Sequence, residues 1–175
     1  MTHVKLFPDI RRAVSSDAVD LRDLQQSVYD EDDWFVGDGP LDIGGLTRRI
    51  RALEPSNSLY LVAEAQARGE LVAWLELHRL FPQKLKHVAT LTLAVKDPWR
   101  GRGIARALLE RAYAWSTQVG VRKITLNVRA NNAAAIGLYK RQGFDLEGRE
   151  KAHIRLESGY EDNLIMAKAL GTDGR

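Results

Sequence analysis

The chain has 175 residues, of which 45% are hydrophobic, and its 26 basic and 23 acidic side chains give a formal net charge of +3. This length is typical of one domain with a sizeable core, and the mixed charges exclude extended disorder. The absence of cysteine excludes disulfides, thiolate metal sites and a cysteine nucleophile. No apolar run is long enough for a signal peptide or a membrane span. We therefore expect one cytoplasmic domain over 1–175, ordered over about 8–170, without a membrane partner.

The first half of the chain predicts a strand over 10–14, a helix over 15–31 and a weaker helix over 41–53. Apolar residues at helical spacing support the first helix, whereas Gly44 and Gly45 weaken the second. A loop over 33–40 separates the two helices, and a break over 54–57 ends the second. Two strands, 58–66 and 70–80, flank the hairpin signal "ARG" at 67–69.

The second half predicts a long strand over 87–95, a helix over 103–119, a strand over 121–130 and a helix over 131–142. Gly120 and Gly143 stop the two helices. Two further strands over 144–151 and 160–170 close the chain. Because the strands come in runs rather than alternating with helices, the order indicates an α/β (α+β) domain with a mixed sheet.

A glycine-rich junction, "WRGRGIARALL" at 99–109, joins the strand ending at Val95 to the following helix. The first N–H groups of a helix lack internal partners and attract anions, and glycines allow close approach. Three arginines add positive charge there: Arg100, Arg102 and Arg106. The junction fits neither the dinucleotide pattern G-x-G-x-x-G nor the nucleoside triphosphate loop. What remains is R-x-x-G-x-A, which is either a phosphate site or a tight turn with a solvated basic rim.

A wider pattern surrounds this junction. "VKDPWRGRGIARALL" resembles the acyl-CoA motif of the GNAT superfamily of acetyl-CoA-dependent N-acetyltransferases. "VRANNAAAIGLYKRQGF" resembles the second signature of that superfamily, and "GYEDNLIMAKAL" resembles its closing strand. The N-terminal half matches more loosely but in the right order. The resemblance implies one domain with a central mixed, mostly antiparallel, splayed sheet of about seven strands and about four helices.

The resemblance also implies how acetyl-CoA would be held as co-substrate. Leu93, Ala94 and Val95 would offer main-chain groups to the pantetheine arm, with the Val95 N–H available to a developing oxyanion. Asn132 would touch the coenzyme arm, or act only as an N-cap. The residues expected to hold the pyrophosphate through main-chain N–H groups are Arg100, Gly101, Arg102, Gly103, Ile104, Ala105 and Arg106.

Catalytic candidates follow from the same resemblance. Tyr139 would protonate the leaving thiolate, although a tyrosine near a helix end also suits a core. Many relatives carry a carboxylate on the fourth strand, but this chain has Thr90 and Thr92 there. Glu76 and His87 are the substitute bases, with a solvated strand face and a strand-end surface residue as the alternatives. The acidic run 30–33 either attracts a cationic amine or forms a solvated loop.

The predicted activity is acetyl transfer from acetyl-CoA to a primary amine of a small molecule such as an amino acid. Two alternatives stay open: a protein N-terminal or lysine acetyltransferase, and a catalytically degenerate acyl-CoA-binding sensor. The basic residues do not form the single aromatic-interleaved stripe of a nucleic-acid binder, so no nucleic-acid partner is expected. The four histidines lack ligand spacing, so no metal is expected, and a homodimer is a further possibility.

Overall fold

A computed structural model describes residues 7–31, 34–35, 39–52, 57–65 and 69–171 of the chain. Outside the described residues lie parts of the predicted loop over 33–40, of the break over 54–57 and of the turn over 67–69, and most of the C-terminal tail. The described ranges contain seven strands and four helices, in the order β1 (Asp9–Arg12), α1 (Ala18–Glu31), α2 (Ile43–Arg51), β2 (Ser58–Ala65), β3 (Glu70–Arg79), β4 (Val88–Val95), α3 (Ile104–Gln118), β5 (Lys123–Arg129), α4 (Ala133–Arg141), β6 (Asp145–Leu156) and β7 (Gly159–Ala169).

The seven strands form one sheet in the order β1-β2-β3-β4-β5-β7-β6. Every neighbouring pair is antiparallel except β4 and β5, which run parallel. That parallel pairing covers only Val88–Thr90 against Lys123–Thr125, after which the two strands diverge. The predicted fold class, a mixed and mostly antiparallel splayed sheet with four helices, is confirmed.

Strand alternation divides the apolar side chains between two cores. On β3, Leu75 and Leu77 face the larger core, which α3 closes with Leu108 and Leu109. Trp74 faces the smaller core, which α1 and α2 close from the other side. Each fully buried leucine stabilises the fold by about 1.5–3 kcal/mol, so both faces of the splayed sheet are firmly anchored.

The helices end where the sequence places glycines. Gly120 follows α3 with a φ of +79° and Gly143 follows α4 with a φ of +81°, a backbone conformation that glycine adopts without steric cost.

In the described part of the chain, every helix is too short or too polar to cross a bilayer.

Candidate active site

The divergence of β4 and β5 opens a cleft of about 1220 Å³ through the sheet. Its two ends differ in chemistry. We call one end the loop lobe, formed by the outer edge of β4 with residues 99–106 and 132–141. We call the other the polar lobe, formed by Trp34, Phe35, Thr90, Thr92, Asn127, Arg129, Glu150, His153 and Asn163.

The loop lobe contains the glycine-rich junction. Gly101 and Gly103 both have positive φ angles, +71° and +84°, and a Cβ built on either glycine would meet no atom within 4 Å. Gly103 is the N-cap of α3 and supplies no side-chain acceptor, so the first N–H groups of that helix stay open to a ligand. Such a loop at a helix N-terminus forms an anion site from main-chain groups alone.

The three arginines of this junction are engaged with protein groups. Arg100 donates from Nε to the Val95 carbonyl oxygen at 2.8 Å and pairs with Glu31 at the end of α1. Arg106 pairs with Glu110 at 2.8 Å, and Arg102 lies over the Trp99 ring. The main-chain N–H groups, rather than free guanidinium groups, therefore define what this loop offers an anion.

The edge of β4 that faces the cleft has lost its partner strand. The Lys96 N–H donates to Val72, and Val88 accepts from Leu80, so even-numbered residues of β4 bond β3 in this antiparallel register. The odd-numbered residues Leu93 and Val95 consequently turn their main-chain groups toward the cleft, whereas Ala94 turns its own toward β3. The Val95 carbonyl is taken by Arg100, which leaves its N–H group for a ligand.

Asn132 and Tyr139 line the loop lobe from α4. The Asn132 side chain accepts from the Ala135 N–H at 3.0 Å and so caps the helix. The same residue also lines the cleft. Tyr139 packs its ring at 5.4 Å from Phe144 and is buried. Burial, with a smaller effect of Tyr113, raises the pKa of Tyr139 far above its ordinary value, and the hydroxyl stays protonated at neutral pH.

Glu76 lies on β3 beside the cleft but is not one of its lining residues. Its carboxylate accepts from Arg49 Nε at 2.6 Å and contacts His78 Nε2 at 2.5 Å. Burial alone would raise the pKa of Glu76, but the hydrogen bonds to His78 and Arg49 outweigh burial and hold it below the ordinary value. This paired carboxylate ties α2 to the sheet, and the role of Glu76 as a base stays a prediction.

His87 lies outside the cleft. It precedes β4 at the closed end of the β4–β5 pairing, where its carbonyl accepts from Arg122 and Lys123, and its side chain is exposed. The paired segment separates it from the point where the strands diverge, and the role of His87 as a base stays a prediction.

The acidic run 30–33 is only partly described. Glu31 holds Arg100 and accepts from the Asp97 N–H at 3.1 Å, while Asp30 accepts from Gln26. Both residues therefore have structural partners, and Asp32 and Asp33 lie outside the described residues.

The polar lobe contains residues that the sequence did not indicate as a group. Asn163 of β7 is buried and donates from Nδ2 to Glu150 Oε2 at 2.7 Å and to Asn127 Oδ1 at 3.1 Å. The three side chains thus form one hydrogen-bonded row across β6, β7 and β5. Strand alternation in "KITLNVR" places Thr125, Asn127 and Arg129 on one face. This alternation is the sequence pattern that indicates part of the polar lobe.

A bulge in β6 shapes this lobe. The register passes from Glu150 opposite Asn163 to Ile154 opposite Glu161, so three residues of β6 face one residue of β7. Ala152 takes a φ of +50° there, and Asp162 accepts its N–H at 2.8 Å. The bulge carries His153 to the cleft lining, with its Nε2 at 3.6 Å from Glu150 Oε2.

Aromatic rings form one wall of the polar lobe. Phe35 stacks on Trp74 at a centroid distance of 5.8 Å. Trp34 lies under Arg129, whose charge is balanced by Glu161. Together with the amides and Glu150, this wall lines the lobe with both apolar and polar groups.

The model of the Acetyltransferase (GNAT) family matches residues 19–144. The chain belongs to this acetyltransferase family. L-amino acid N-acetyltransferase AaaT of Escherichia coli (strain K12) is 33% identical over 101 residues, covering 57% of this chain and 62% of AaaT. The [Ribosomal protein bS18]-alanine N-acetyltransferase of the same strain is 36% identical over 109 residues, covering 62% of this chain and 70% of that protein.

The fold agrees with that membership. The yncA protein of Salmonella typhimurium, solved with its cofactor acetyl-CoA, superposes with a TM-score of 0.85 over 95% of this chain and 96% of its own, at 17% identity. At this identity the likeness concerns the fold alone. No group of three His, Asp or Glu residues within the described ranges is placed to hold a metal ion.

Proposed function

We propose that this acetyltransferase transfers the acetyl group of acetyl-CoA to the primary amine of a small molecule, with a free amino acid as the first candidate. The observation that carries this proposal is the divergence of β4 and β5, which joins an anion-receiving loop and a polar lobe in one cleft. The residues at 1–175 are proposed to form one such domain. The cytoplasmic location and the homodimer stay predictions.

The residues of the loop lobe fit the coenzyme. The open N–H groups from Gly101 to Arg106 suit a pyrophosphate, and the free edge of β4 suits an extended amide-containing arm. Acetyl-CoA supplies the acetyl group as a thioester when bound. The Val95 N–H is available to an oxygen that gains negative charge, and Tyr139 holds a proton that a leaving sulfur can take.

The acceptor assignment rests on two supports. The relatives AaaT and the bS18-alanine acetyltransferase are both named for acting on an amino acid unit, free or within a ribosomal protein. The aromatic wall of Trp34 and Phe35 lines the polar lobe and suits an acceptor with an apolar side chain. The second candidate, the N-terminal residue of a polypeptide, is favoured by the bS18-alanine relative.

A thiol-release assay with acetyl-CoA tests the proposal against free amino acids, polyamines, aminoglycosides and peptides with free N-termini. We expect turnover with amino acids and less with peptides of the same first residue. The reverse order would select the second candidate. Acetyl-CoA binding by calorimetry without turnover of any acceptor would instead indicate a sensor.

A further inference from the structure

We propose that Glu150, rather than Glu76 or His87, binds the ammonium group of the acceptor and takes its proton. The inference rests on the proposed acetyl transfer and assigns the group that this transfer needs. An ammonium has no free electron pair, so a proton must leave the nitrogen before it can attack.

Glu150 is the one carboxylate that lines the cleft among the residues described. Its Oε2 is held by the buried amide of Asn163 at 2.7 Å. Its Oε1 has no hydrogen-bonding partner in the described part of the protein. One oxygen is therefore fixed by the sheet and the other is available to a bound cation.

The hydrogen-bonded row also has a defined direction. A carboxylate only accepts, so Asn163 must present its NH2 group to Glu150. The same NH2 group contacts Asn127, which must then present its oxygen and keep its own NH2 group for the cleft. The Asn127 NH2 group and the Glu150 carboxylate thus belong to one row joined through Asn163, and this pairing of donor and anion suits an ammonium with a neighbouring carbonyl or carboxylate group, as in an amino acid unit.

The surroundings of Glu150 leave its charge available. On β6, His153 lies at 3.6 Å from Oε2, and Arg149 is bonded to Asp162. On β5, Arg129 is paired with Glu161 of β7. The side chains of His153 and Glu150 are 53% and 39% exposed, so the carboxylate has direct access to water.

Groups in the cleft and water account for the two protons that the ammonium loses and the one that the sulfur gains. A proton moves from the ammonium to Glu150, and the freed electron pair forms the N–C bond as the C–S bond breaks. The sulfur takes a proton from Tyr139, which is restored by the second proton lost from the nitrogen. The first proton leaves Glu150 for water, so one proton is released per acetyl group transferred.

The test compares wild type with Glu150→Gln, which keeps the shape and the contact with Asn163. We expect kcat/KM for the amine to fall about 100-fold at neutral pH, with partial recovery at high pH as solution supplies the free amine. Acetyl-CoA affinity by calorimetry should not change. Glu150→Asp should retain part of the activity and the wild-type pH profile.

Glu147→Gln is the matched control, because Glu147 lies on the same strand but pairs with Lys123 outside the cleft. It should keep wild-type kcat/KM. Unchanged rate and pH profile in Glu150→Gln, with an active wild type, would overturn the role of Glu150 and leave acetyl transfer intact. A wild type that binds acetyl-CoA but acetylates no amine would overturn the proposed function, and this inference with it.

Discussion

Tyr139 combines burial with a position on the cleft lining. Its hydroxyl has no hydrogen-bonding partner within the described residues, and its raised pKa keeps it protonated. A phenol in this state can donate a proton to a basic leaving sulfur but cannot act as the base that activates the amine. The two proton transfers are therefore assigned to opposite lobes of the cleft.

Replacement of Tyr139 by Phe removes only the hydroxyl. We expect kcat to fall about 100-fold, because general acid catalysis contributes about 10²–10⁴, while acetyl-CoA affinity stays constant. Tyr113→Phe is the control, since burial raises the pKa of Tyr113 to about 12 but this residue does not line the cleft. Steady-state kinetics decide the point, and equal rates in wild type and Tyr139→Phe would remove Tyr139 from the reaction.

Gly103→Glu tests the anion site at the start of α3. The built Cβ meets no protein atom, so the folding cost is the left-handed strain of about 1–2 kcal/mol, whereas the new carboxylate repels a phosphate. We expect acetyl-CoA binding to be lost in calorimetry. Gly120→Glu places the same side chain at a similar φ beyond the other end of α3, and it should bind normally. Normal binding by Gly103→Glu would refute the site.

Among the elements, α2 is joined to β3 by the contacts of Arg49 with Glu76 and His78. Glu76→Gln weakens the charge-assisted bonds of Glu76 with Arg49 and His78, and we expect a loss of about 2 kcal/mol in the free energy of unfolding. The turnover of the folded enzyme should change little.

Denaturant unfolding with parallel kinetics measures both effects. Glu70→Gln provides the control on the same strand, because its pair with Lys96 is more exposed and should contribute below about 1 kcal/mol. A Glu76→Gln protein of normal stability and greatly reduced turnover would return Glu76 to the reaction.

The order of elements follows from local signals in the sequence. Helical spacing predicts α3, and the stops at Gly120 and Gly143 lie where the helices end. Strand β6 runs to Leu156, beyond the predicted end at 151, because the bulge at Ala152 interrupts the alternation that marks a strand. The glycine junction could be identified because all of its residues are contiguous.

The polar lobe could not be predicted in the same way. Trp34, Asn127, Glu150 and Asn163 come from four separate segments. The register of β5, β7 and β6 brings Asn127, Glu150 and Asn163 together, and Trp34 joins them through its contact with Arg129. Neither a bulge nor a pairing register can be read from one sequence, so the sequence pattern indicates candidate bases on β3 and just before β4 instead.

For the whole molecule, three carboxyl groups predict sensitivity to acid. Hydrogen bonds from Ala152 and Arg149 lower the pKa of Asp162, and those from Arg11 and Val14 outweigh burial to lower the pKa of Asp17. Hydrogen bonds with His78 and Arg49 likewise outweigh burial and lower the pKa of Glu76. A pKa lower in the folded than in the unfolded state gives stability that is complete above the ordinary value and is lost as pH falls.

We therefore expect the melting temperature to be constant above about pH 5 and to fall between about pH 5 and 3. Calorimetric melting across this range measures the effect. The Glu76→Gln protein should show a shallower fall, and a melting temperature that rises on acidification would contradict the assignment.

Because the β4–β5 pairing is short, hydrogen exchange of β4 depends on whether the cleft holds a ligand. Amide hydrogens within a closed sheet exchange with heavy water slowly, whereas those of Leu93 and Val95 face a gap without a strand to protect them. Deuterium uptake at these positions therefore distinguishes the empty enzyme from one whose cleft is filled, and no chemical modification of the protein is needed. A library of candidate ligands can be ranked by the mass of a single peptide that spans β4.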